Sequence, residues 1–268
     1  MNALDKVFRA LHAGPELLIL PNAWDAGSAR VIESAGAKAI ATSSAAVAWG
    51  HGYPDGQFLP FETLVDTIGE IARVARVPVS ADIESGYAAT ASEIDEAIAR
   101  VVGAGAVGVN IEDGTSPPDL LCAKIERSKS VAARVGVDLW VNARVDVYLR
   151  KLASGEIAFD ESVRRAAQYK EAGADSIFVP ALVDCEVIGR MVPLVGLPFN
   201  ALAWAGLPDA ARLRSLGVRR LSAGAGLARA VFDRTFLLTK AFLSEGKVEA
   251  LNDPPATVSN LNDLMRRD

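Results

Sequence analysis

The sequence is poor in the residues that mark several classes of protein. Its 268 residues include only two cysteines, Cys122 and Cys185, and two histidines. With no secretion signal ahead of them, the cysteines are interpreted as reduced thiols rather than as a disulfide. No run of lysine or arginine forms a stripe for nucleic acid or an anionic membrane, and the net charge is −5. We therefore expect neither nucleic acid nor a membrane as a partner.

Targeting signals are also missing from the sequence. The first seven residues lack the charged segment and the apolar segment of a signal peptide. No uninterrupted apolar stretch approaches the length that spans a bilayer. These absences predict a cytoplasmic protein. Because half of the side chains are hydrophobic, we predict a single domain over residues 1–268, with residues 246–268 as its C-terminal extension.

What the chain does contain is a repeated alternation of apolar runs and amphipathic segments. Eight runs rich in Val, Ile, Leu and Ala are predicted as strands, at residues 17–21, 39–43, 79–82, 108–112, 139–144, 176–179, 199–203 and 219–222. Nearly continuous apolar strands separated by helices indicate a parallel sheet covered on its outer face. Eight such units predict an α/β fold of the (β/α)8 barrel type.

Two of the predicted helices have distinctive sequence features, a capping box in one and a wide apolar surface in the other. One begins after Ser92, which forms a predicted capping box with Asp95. The other covers residues 228–244 and has apolar residues on most of its sides, a wider stripe than one barrel face requires. We expect this helix to pack on a neighbouring subunit; the alternative is a helix wedged deep in its own barrel. Beyond it, the tail from Gly246, which contains Asn252-Asp-Pro-Pro255, is predicted as an irregular connector to a last short helix.

Polar residues gather at the predicted carboxyl ends of the strands, where such barrels place their active sites. Asp82 and Glu84 follow the third strand, and their spacing of two predicts that they share a face. Glu112 ends the fourth strand, Arg144 the fifth, and Asn200, a predicted substrate-binding residue, the seventh. Three or four carboxylates therefore converge on one rim with a single arginine.

These carboxylates would repel each other unless a cation lies between them. With oxygen ligands only, and no histidine or cysteine nearby, the cation should be Mg²⁺, with Mn²⁺ as a substitute. The alternative is a structural ion-pair network around Arg144. A metal beside an arginine and small hydroxyl residues is suited to a small carboxylate substrate such as an α-keto acid.

Several motifs together resemble those of the isocitrate lyase/phosphoenolpyruvate mutase superfamily. They are Pro21-Asn-Ala-Trp-Asp25, Thr42-Ser-Ser44, Gly52-Tyr-Pro-Asp55, Ala81-Asp-Ile-Glu-Ser-Gly-Tyr87, Asn110-Ile-Glu-Asp-Gly114 and Asn142-Ala-Arg-Val-Asp146. The resemblance implies an α/β barrel whose eighth helix is swapped between the subunits of a homodimer or homotetramer. It also implies Mg²⁺ and an oxalate-like or pyruvate-like ligand.

Carried over by position, the resemblance assigns roles to individual residues. Asp82 would bind the metal directly, and Glu84 and Glu112 would help through water. Ser43, with the amides of Ser44 and Ala45, would hold the oxygens of the substrate. Arg144 would bind its carboxylate, and Asp55 would lie near the substrate and the metal-bound waters. Catalysis is assigned to Arg144, Asp55 and Ser43.

The loop after Glu112 departs from the superfamily patterns. Lyases that act on isocitrate or methylisocitrate carry a Lys-Lys/Arg-Cys-Gly-His sequence there, and phosphonate-processing members carry a lysine and an Asn-Ser pair. Here the segment contains Cys122 without those neighbours, and we interpret it chiefly as a core thiol. Oxaloacetate-like substrates cleaved at a C–C bond at C3 are therefore favoured. The alternatives are a phosphonopyruvate/phosphoenolpyruvate mutase or hydrolase and a non-catalytic ketoacid-binding barrel.

A separate alternative comes from residues 222–227, Ser-Ala-Gly-Ala-Gly-Leu, which resemble the glycine-rich phosphate cup of many barrels. That pattern would suit an isomerase or synthase of phosphorylated sugars or indole precursors.

Overall fold

The computed structural model describes residues 4–246, 248–252, 258 and 260–266. Its centre is a sheet in which every pair of neighbouring strands is parallel. The strands are β1 (Leu18–Leu20), β2 (Asn22–Ala23), β3 (Ile40–Thr42), β4 (Val79–Asp82), β5 (Gly108–Glu112), β6 (Trp140–Arg144), β7 (Ser176–Phe178), β8 (Phe199–Leu202) and β9 (Arg220–Ser222). The predicted (β/α)8 barrel is confirmed, and all eight predicted strands are present.

The first predicted strand is divided in two at Pro21, and this division closes the barrel. β1 pairs with β9 on one side, and β2 pairs with β3 on the other. Proline has no backbone N–H to donate to a neighbouring strand. Its carbonyl is still used, because it accepts the Ala41 N–H at 3.0 Å. The nine strands therefore occupy eight barrel positions.

The helices between consecutive strands cover the outside of the barrel. In the described residues, one further helix precedes the sheet and three follow it. In chain order the helices are α1 (Leu4–Ala13), α2 (Ala26–Ser34), α3 (Ser44–Gly50), α4 (Phe61–Val74), α5 (Ile94–Gly103), α6 (Pro118–Arg134), α7 (Gly155–Glu171), α8 (Cys185–Val195), α9 (Ala210–Ser215), α10 (Gly226–Glu245), α11 (Glu249–Asn252) and α12 (Leu261–Met265). Within the described ranges, no helix combines the length and apolar content needed to cross a bilayer.

The capping box predicted at Ser92 and Asp95 is wrong. Glu93 occupies the position before α5, and its carboxylate accepts the N–H groups of Ala89 at 2.7 Å and Thr90 at 3.1 Å. The longer glutamate side chain thus bonds to the loop before the helix instead of to the helix.

Helix α1 covers the end of the barrel opposite the predicted site. Phe8 is fully buried there and forms a cluster with Leu18, Leu20, Trp140 and other apolar residues. A Cβ on Gly108 would lie 2.7 Å from the Phe8 ring, so only glycine fits at this position of β5. α1 therefore fixes the end of the barrel opposite the predicted site.

His12 is buried at this end of the barrel and is held in its neutral form. Its ring stacks on Trp140 with centroids 4.1 Å apart, and Nδ1 donates to the Phe8 carbonyl at 2.8 Å. Burial, with the nearby charge of Arg220, lowers the pKa of His12 from 6.5 to about 3. The unfolded chain therefore binds a proton below pH 6.5 that the folded chain does not bind until about pH 3.

We expect His12→Phe to remove part of the pH dependence of stability. The contribution of neutral His12 is complete above pH 6.5 and is lost as the pH falls toward 3, so acid destabilises the folded state. At pH 5 the linkage amounts to about 2 kcal/mol. Urea unfolding of both proteins at pH 7.5 and pH 5 measures the difference. An equal loss of stability in wild type and variant would contradict the buried neutral histidine.

α10 leaves its apolar side chains exposed to solvent. Phe236 is 66% exposed and Leu243 77%, with Val231, Phe232 and Leu237 also exposed. The alternative of a helix wedged inside its own barrel is therefore wrong. The predicted last short helix is α12, whose Leu264 carbonyl accepts hydrogen bonds from Arg30 on α2. Within the connector predicted from Gly246, the residues Glu249–Asn252 form the short helix α11 and are not irregular, whereas residues 247, 253–257 and 259 lie outside the described part of the chain.

Candidate active site

The carboxyl ends of β4, β5 and β6 bring the predicted polar residues to one rim. Asp82 pairs in register with Asn110, and Glu112 pairs with Arg144. One layer deeper, the Asn142 amide donates to the Asn110 side chain at 2.7 Å. The two-residue spacing therefore places Asn110 with Glu112, and Asn142 with Arg144, inside the barrel as predicted.

Asp82 and Glu84 reach the rim by different routes. β4 ends at Asp82, and Glu84 has φ +52°, a left-handed conformation that a glutamate rarely adopts. The prediction that the two residues share a strand face is wrong, because Glu84 lies in a turn. This turn still keeps the two together, since the Glu84 N–H donates to Asp82 Oδ1 at 3.4 Å. The Glu84 carbonyl also accepts the Glu112 N–H at 2.9 Å, which ties the turn to β5.

Both carboxylates are buried and hydrogen-bonded. Asp82 Oδ2 accepts the Ser44 N–H at 3.0 Å, at the start of α3. Glu84 Oε1 accepts the Gln57 N–H at 3.0 Å and the Tyr87 hydroxyl at 3.2 Å. The loop before α4 is therefore tied to the rim through Glu84.

Arg144 lies between two buried acids. Its Nη1 is 2.5 Å from Glu112 Oε2, and its Nε donates to Asp146 Oδ1 at 2.6 Å. The Asp146 side chain is fully buried, and the Arg144 side chain is only 14% exposed. The alternative of an ion-pair network around Arg144 is thus present in the structure, alongside the carboxylates of β4.

A cavity of about 460 Å³ opens at this rim. Its lining residues are Ser44, Asp55, Gly56, Glu84, Glu112, Thr115, Arg144, Leu149 and Arg150. Three acids and two arginines thus face one small space, together with the Thr115 hydroxyl and the apolar Leu149. Arg144 and Arg150 offer N–H donors to a small anion with several oxygens, and both also contact Glu112 and Asp146.

The acids of the cavity bind protons more readily than free carboxylates do. Burial raises the pKa of Glu84 to about 7, and the charges of Asp82 and Asp55 add to the effect. Burial also raises the pKa of Glu112, and it outweighs the opposing charge of Arg144. The pKa of Asp55 is raised by burial and by Asp82, against hydrogen bonds from Ser44 and Gly56.

The donor set fits Mg²⁺ by its chemistry. The groups are carboxylate oxygens, and the neighbouring charges of Asp82 and Asp55 add to burial in raising the pKa of Glu84. Over the residues that the structure describes, no three acidic, histidine or cysteine side chains are arranged to hold one ion together. Mg²⁺ is commonly bound through one or two carboxylates and several waters, so this arrangement is compatible with it.

The remaining predicted site residues lie at different depths. Ser43 is buried immediately before α3, and Ala45 is half-buried in its first turn. The Ser44 N–H, predicted to hold a substrate oxygen, donates to Asp82 instead. Asn200 is completely buried below the rim, where it accepts a hydrogen bond from Ser222, and it does not line the cavity. The substrate contacts of Ser43, Ala45 and Asn200 stay predictions.

Several residues support the site although no role was predicted for them from the sequence. Asp113 is buried and accepts the Tyr169 hydroxyl at 2.6 Å, Arg165 Nη1 at 2.8 Å and the Asp146 N–H at 2.9 Å. It thereby holds the segment after β5 against the segment after β6. Lys124 on α6 donates to the carbonyls of Ser85 and Ala88 and so holds the turn that contains Glu84.

Two other sequence features lie away from the cavity. Cys122 belongs to α6, packs against the main core and does not line the cavity, as expected for a core thiol. In the glycine-rich segment after β9, the Gly224 N–H donates to the Asn22 side chain at 2.9 Å. A Cβ on Gly224 would lie 2.7 Å from Leu202, so this glycine serves close packing.

Comparison with known proteins identifies relatives along most of the chain. The family model described as phosphoenolpyruvate phosphomutase matches residues 8–242. An uncharacterized protein of Mycobacterium tuberculosis is 35% identical over 219 residues, which is 81% of either chain. Oxaloacetate decarboxylase of Pseudomonas fluorescens is 29% identical over 242 residues, 88% of this chain and 83% of the decarboxylase. The crystal structure of a proposed phosphonomutase from Burkholderia cenocepacia is 36% identical, with a TM-score of 0.86, and the match covers 90% of this chain and all of that one.

Proposed function

Because this chain belongs to the phosphoenolpyruvate phosphomutase family, within the isocitrate lyase/phosphoenolpyruvate mutase superfamily, we propose that it is a Mg²⁺-dependent lyase-type enzyme. Its proposed reaction is cleavage of a C–C bond at C3 of a small α-keto or α-hydroxy acid, with an oxaloacetate-like substrate favoured. The cavity that combines three acids with two arginines carries this proposal. The decarboxylase relative, which covers most of the chain, supports the choice of substrate.

The proposed metal ligand is Asp82, with Glu84 and Glu112 acting through water. When bound, Mg²⁺ would supply Lewis-acid polarisation of the keto oxygen of the substrate. Arg144, positioned by Asp146, would bind the carboxylate next to the keto group. Ser43, with the amide of Ala45, would contact the substrate oxygens, and the Ser44 amide would do so on release from Asp82 Oδ2, to which it donates in the structure.

Cleavage at C3 leaves an electron pair that moves into the C2 carbonyl as an enolate. Positive charge and N–H groups aimed at that oxygen lower the barrier, and loss of one such donor costs about 2.7–4 kcal/mol where it has been measured. A proton must then be delivered to C3. Asp55 lines the cavity and has a raised pKa, so we assign it the exchange of protons with the substrate or with a nearby water.

A release screen tests this proposal. Pyruvate and oxalate formation are measured over small dicarboxylates and tricarboxylates and phosphonopyruvate, each with and without Mg²⁺. We expect metal-dependent product release from an oxaloacetate-like compound. Failure of every compound, together with no binding of oxalate, would contradict the enzyme proposal, whereas oxalate binding without any turnover would favour the non-catalytic ketoacid-binding barrel.

Phosphonate chemistry is the second candidate function. The observation that favours it is the 36% identity to the proposed phosphonomutase. Metal-dependent turnover of phosphonopyruvate in the same screen, without turnover of oxaloacetate, would select this candidate.

We also propose that the chain forms a homodimer or homotetramer by exchange of α10. Barrel strands normally have helices over their outer faces, yet Ile19 of β1 is 59% exposed. It lies in a groove of about 650 Å³ whose lining also includes Leu17, Val31, Ile32 and Leu227. This groove and the exposed apolar side of α10 suit each other, because each would cover the other in a second copy.

Light scattering after size exclusion tests the assembly. Wild type is expected to elute as a dimer or tetramer, and Phe236→Asp on the exposed side of α10 should elute as a smaller species. The control Ser130→Asp adds the same charge at an exposed polar position of α6. A monomeric wild type at micromolar concentration would contradict the proposal.

A further inference from the structure

Arg150 is the second arginine of the cavity, and it follows the end of β6 by six residues. Its Nε donates to Asp146 Oδ2 at 3.1 Å, and its Nη2 lies 3.6 Å from Glu112 Oε1. A Cβ on Gly114 would lie 3.8 Å from Nε, so the guanidinium packs over the Gly114 backbone. The group is thereby held between the segments after β5 and β6, at the wall of the cavity.

The two arginines differ in the charge that they have available for a ligand. Arg144 is 14% exposed and lies within 2.6 Å of two buried carboxylates. Arg150 is 45% exposed, and its one side-chain hydrogen bond to a described residue uses Nε. Its Nη2 lies 3.6 Å from Glu112 Oε1, beyond hydrogen-bond distance, so both Nη groups can still donate to a ligand in the cavity that Arg150 lines. A planar pair of N–H donors of this kind matches the spacing of carboxylate or phosphonate oxygens.

We propose that Arg150 binds a second anionic group of the substrate, a carboxylate or phosphonate on C3, and so makes the enzyme selective for substrates with an anion on C3. This inference rests on the proposed function, in which Arg144 binds the carboxylate next to the keto group. Because both arginines contact Glu112 and Asp146, a substrate with an anion on C3 would meet Arg150 as a second cation beside Arg144. A substrate without an anion on C3 would make no ion pair with Arg150 and would gain no binding free energy from it.

Equilibrium binding measures the proposed contact of Arg150 separately from the other contacts of the ligand. Oxalate has no remote anionic group, whereas 3,3-difluorooxaloacetate and phosphonopyruvate carry one on C3. In calorimetry with Mg²⁺ present, Arg150→Gln should bind oxalate as wild type does and should bind one of the two ligands with an anion on C3 about 10- to 100-fold more weakly, as expected for loss of a charge-assisted hydrogen bond. The ligand that loses affinity shows whether the recognised group is a carboxylate or a phosphonate.

Two further variants sharpen the test. Arg150→Lys keeps the charge without the planar donor pair, so it should recover part of the lost affinity. Arg73→Gln removes an exposed arginine that pairs with Glu70 outside the cavity, and it should bind every ligand as wild type does. Unchanged oxalate binding also shows that the Arg150→Gln site is folded.

The outcomes distinguish this inference from the function on which it rests. If wild type binds oxalate and a ligand with an anion on C3, but Arg150→Gln weakens the binding of both equally or of neither, the role of Arg150 is overturned and the proposed function stands. If wild type binds no oxalate, the proposed function fails and the inference fails with it.

Discussion

Asp82→Asn is expected to reduce Mg²⁺-dependent oxalate binding by more than about 100-fold and to remove turnover. Loss of an outer partner of a metal ligand already costs roughly 10–100-fold in affinity or activity, and Asp82 is the proposed direct ligand. The substitution is chosen because the asparagine oxygen can still accept the Ser44 N–H that Asp82 Oδ2 accepts at 3.0 Å. The start of α3 should therefore stay in place while the charge is lost.

Titration calorimetry with Mg²⁺ and with oxalate measures the effect. The matched control is Asp160→Asn, which changes an exposed aspartate of α7. We expect the control to bind and turn over as wild type does. If Asp82→Asn also bound Mg²⁺ and turned over normally, the assignment of the metal to this residue would be wrong.

Arg144→Gln is expected to lower the free energy of unfolding by about 3–5 kcal/mol. Removal of one member of a buried ion pair leaves the other charge buried without its partner. Here the fully buried Asp146 would keep only the half-exposed Arg150, and Glu112 would lose its contact at 2.5 Å. Activity should be lost as well, because the proposed contact with the substrate carboxylate disappears.

Urea unfolding at pH 7.5 measures the loss of stability. Arg144→Lys should lose less, since it keeps the charge but cannot contact Glu112 and Asp146 together. Arg73→Gln at an exposed site should change the free energy by no more than about 0.5 kcal/mol. A loss below about 1 kcal/mol in Arg144→Gln would show that the network around this arginine contributes little to folding.

The sequence was sufficient to predict the barrel because each strand is a short apolar run and amphipathic helices separate the runs. The rule that polar residues at strand ends share one rim predicted that Glu112 and Arg144 come together. It failed at Glu84, where the left-handed backbone takes the chain out of the strand. Sequence spacing could not reveal this turn, since it depends on bonds to Gln57 and Glu112 that are distant in the chain.

The role of Arg150 could not be predicted from strand ends, for a related reason. Strand ends locate other charged residues of the cavity rim, whereas Arg150 lies six residues after the end of β6, in a helical turn. A signal was available: Asp146 and Arg150 are four residues apart, the spacing that brings side chains together on a helix. Asp113 was likewise recognised as part of a motif, but its partners Arg165 and Tyr169 on α7 are more than 50 residues away.

The sharing of Asp146 by two arginines has a consequence for how substrate preference could diverge during evolution. Arg144 and Asp146 are buried in a common network, so replacing either one would cost folding stability before any new specificity could arise. Arg150 is half-exposed, and among the described residues its side chain donates a hydrogen bond only to Asp146. Position 150 can therefore vary while the rest of the site persists. Position 150 is thus the place where a descendant of this enzyme could most easily exchange one C3 substituent for another.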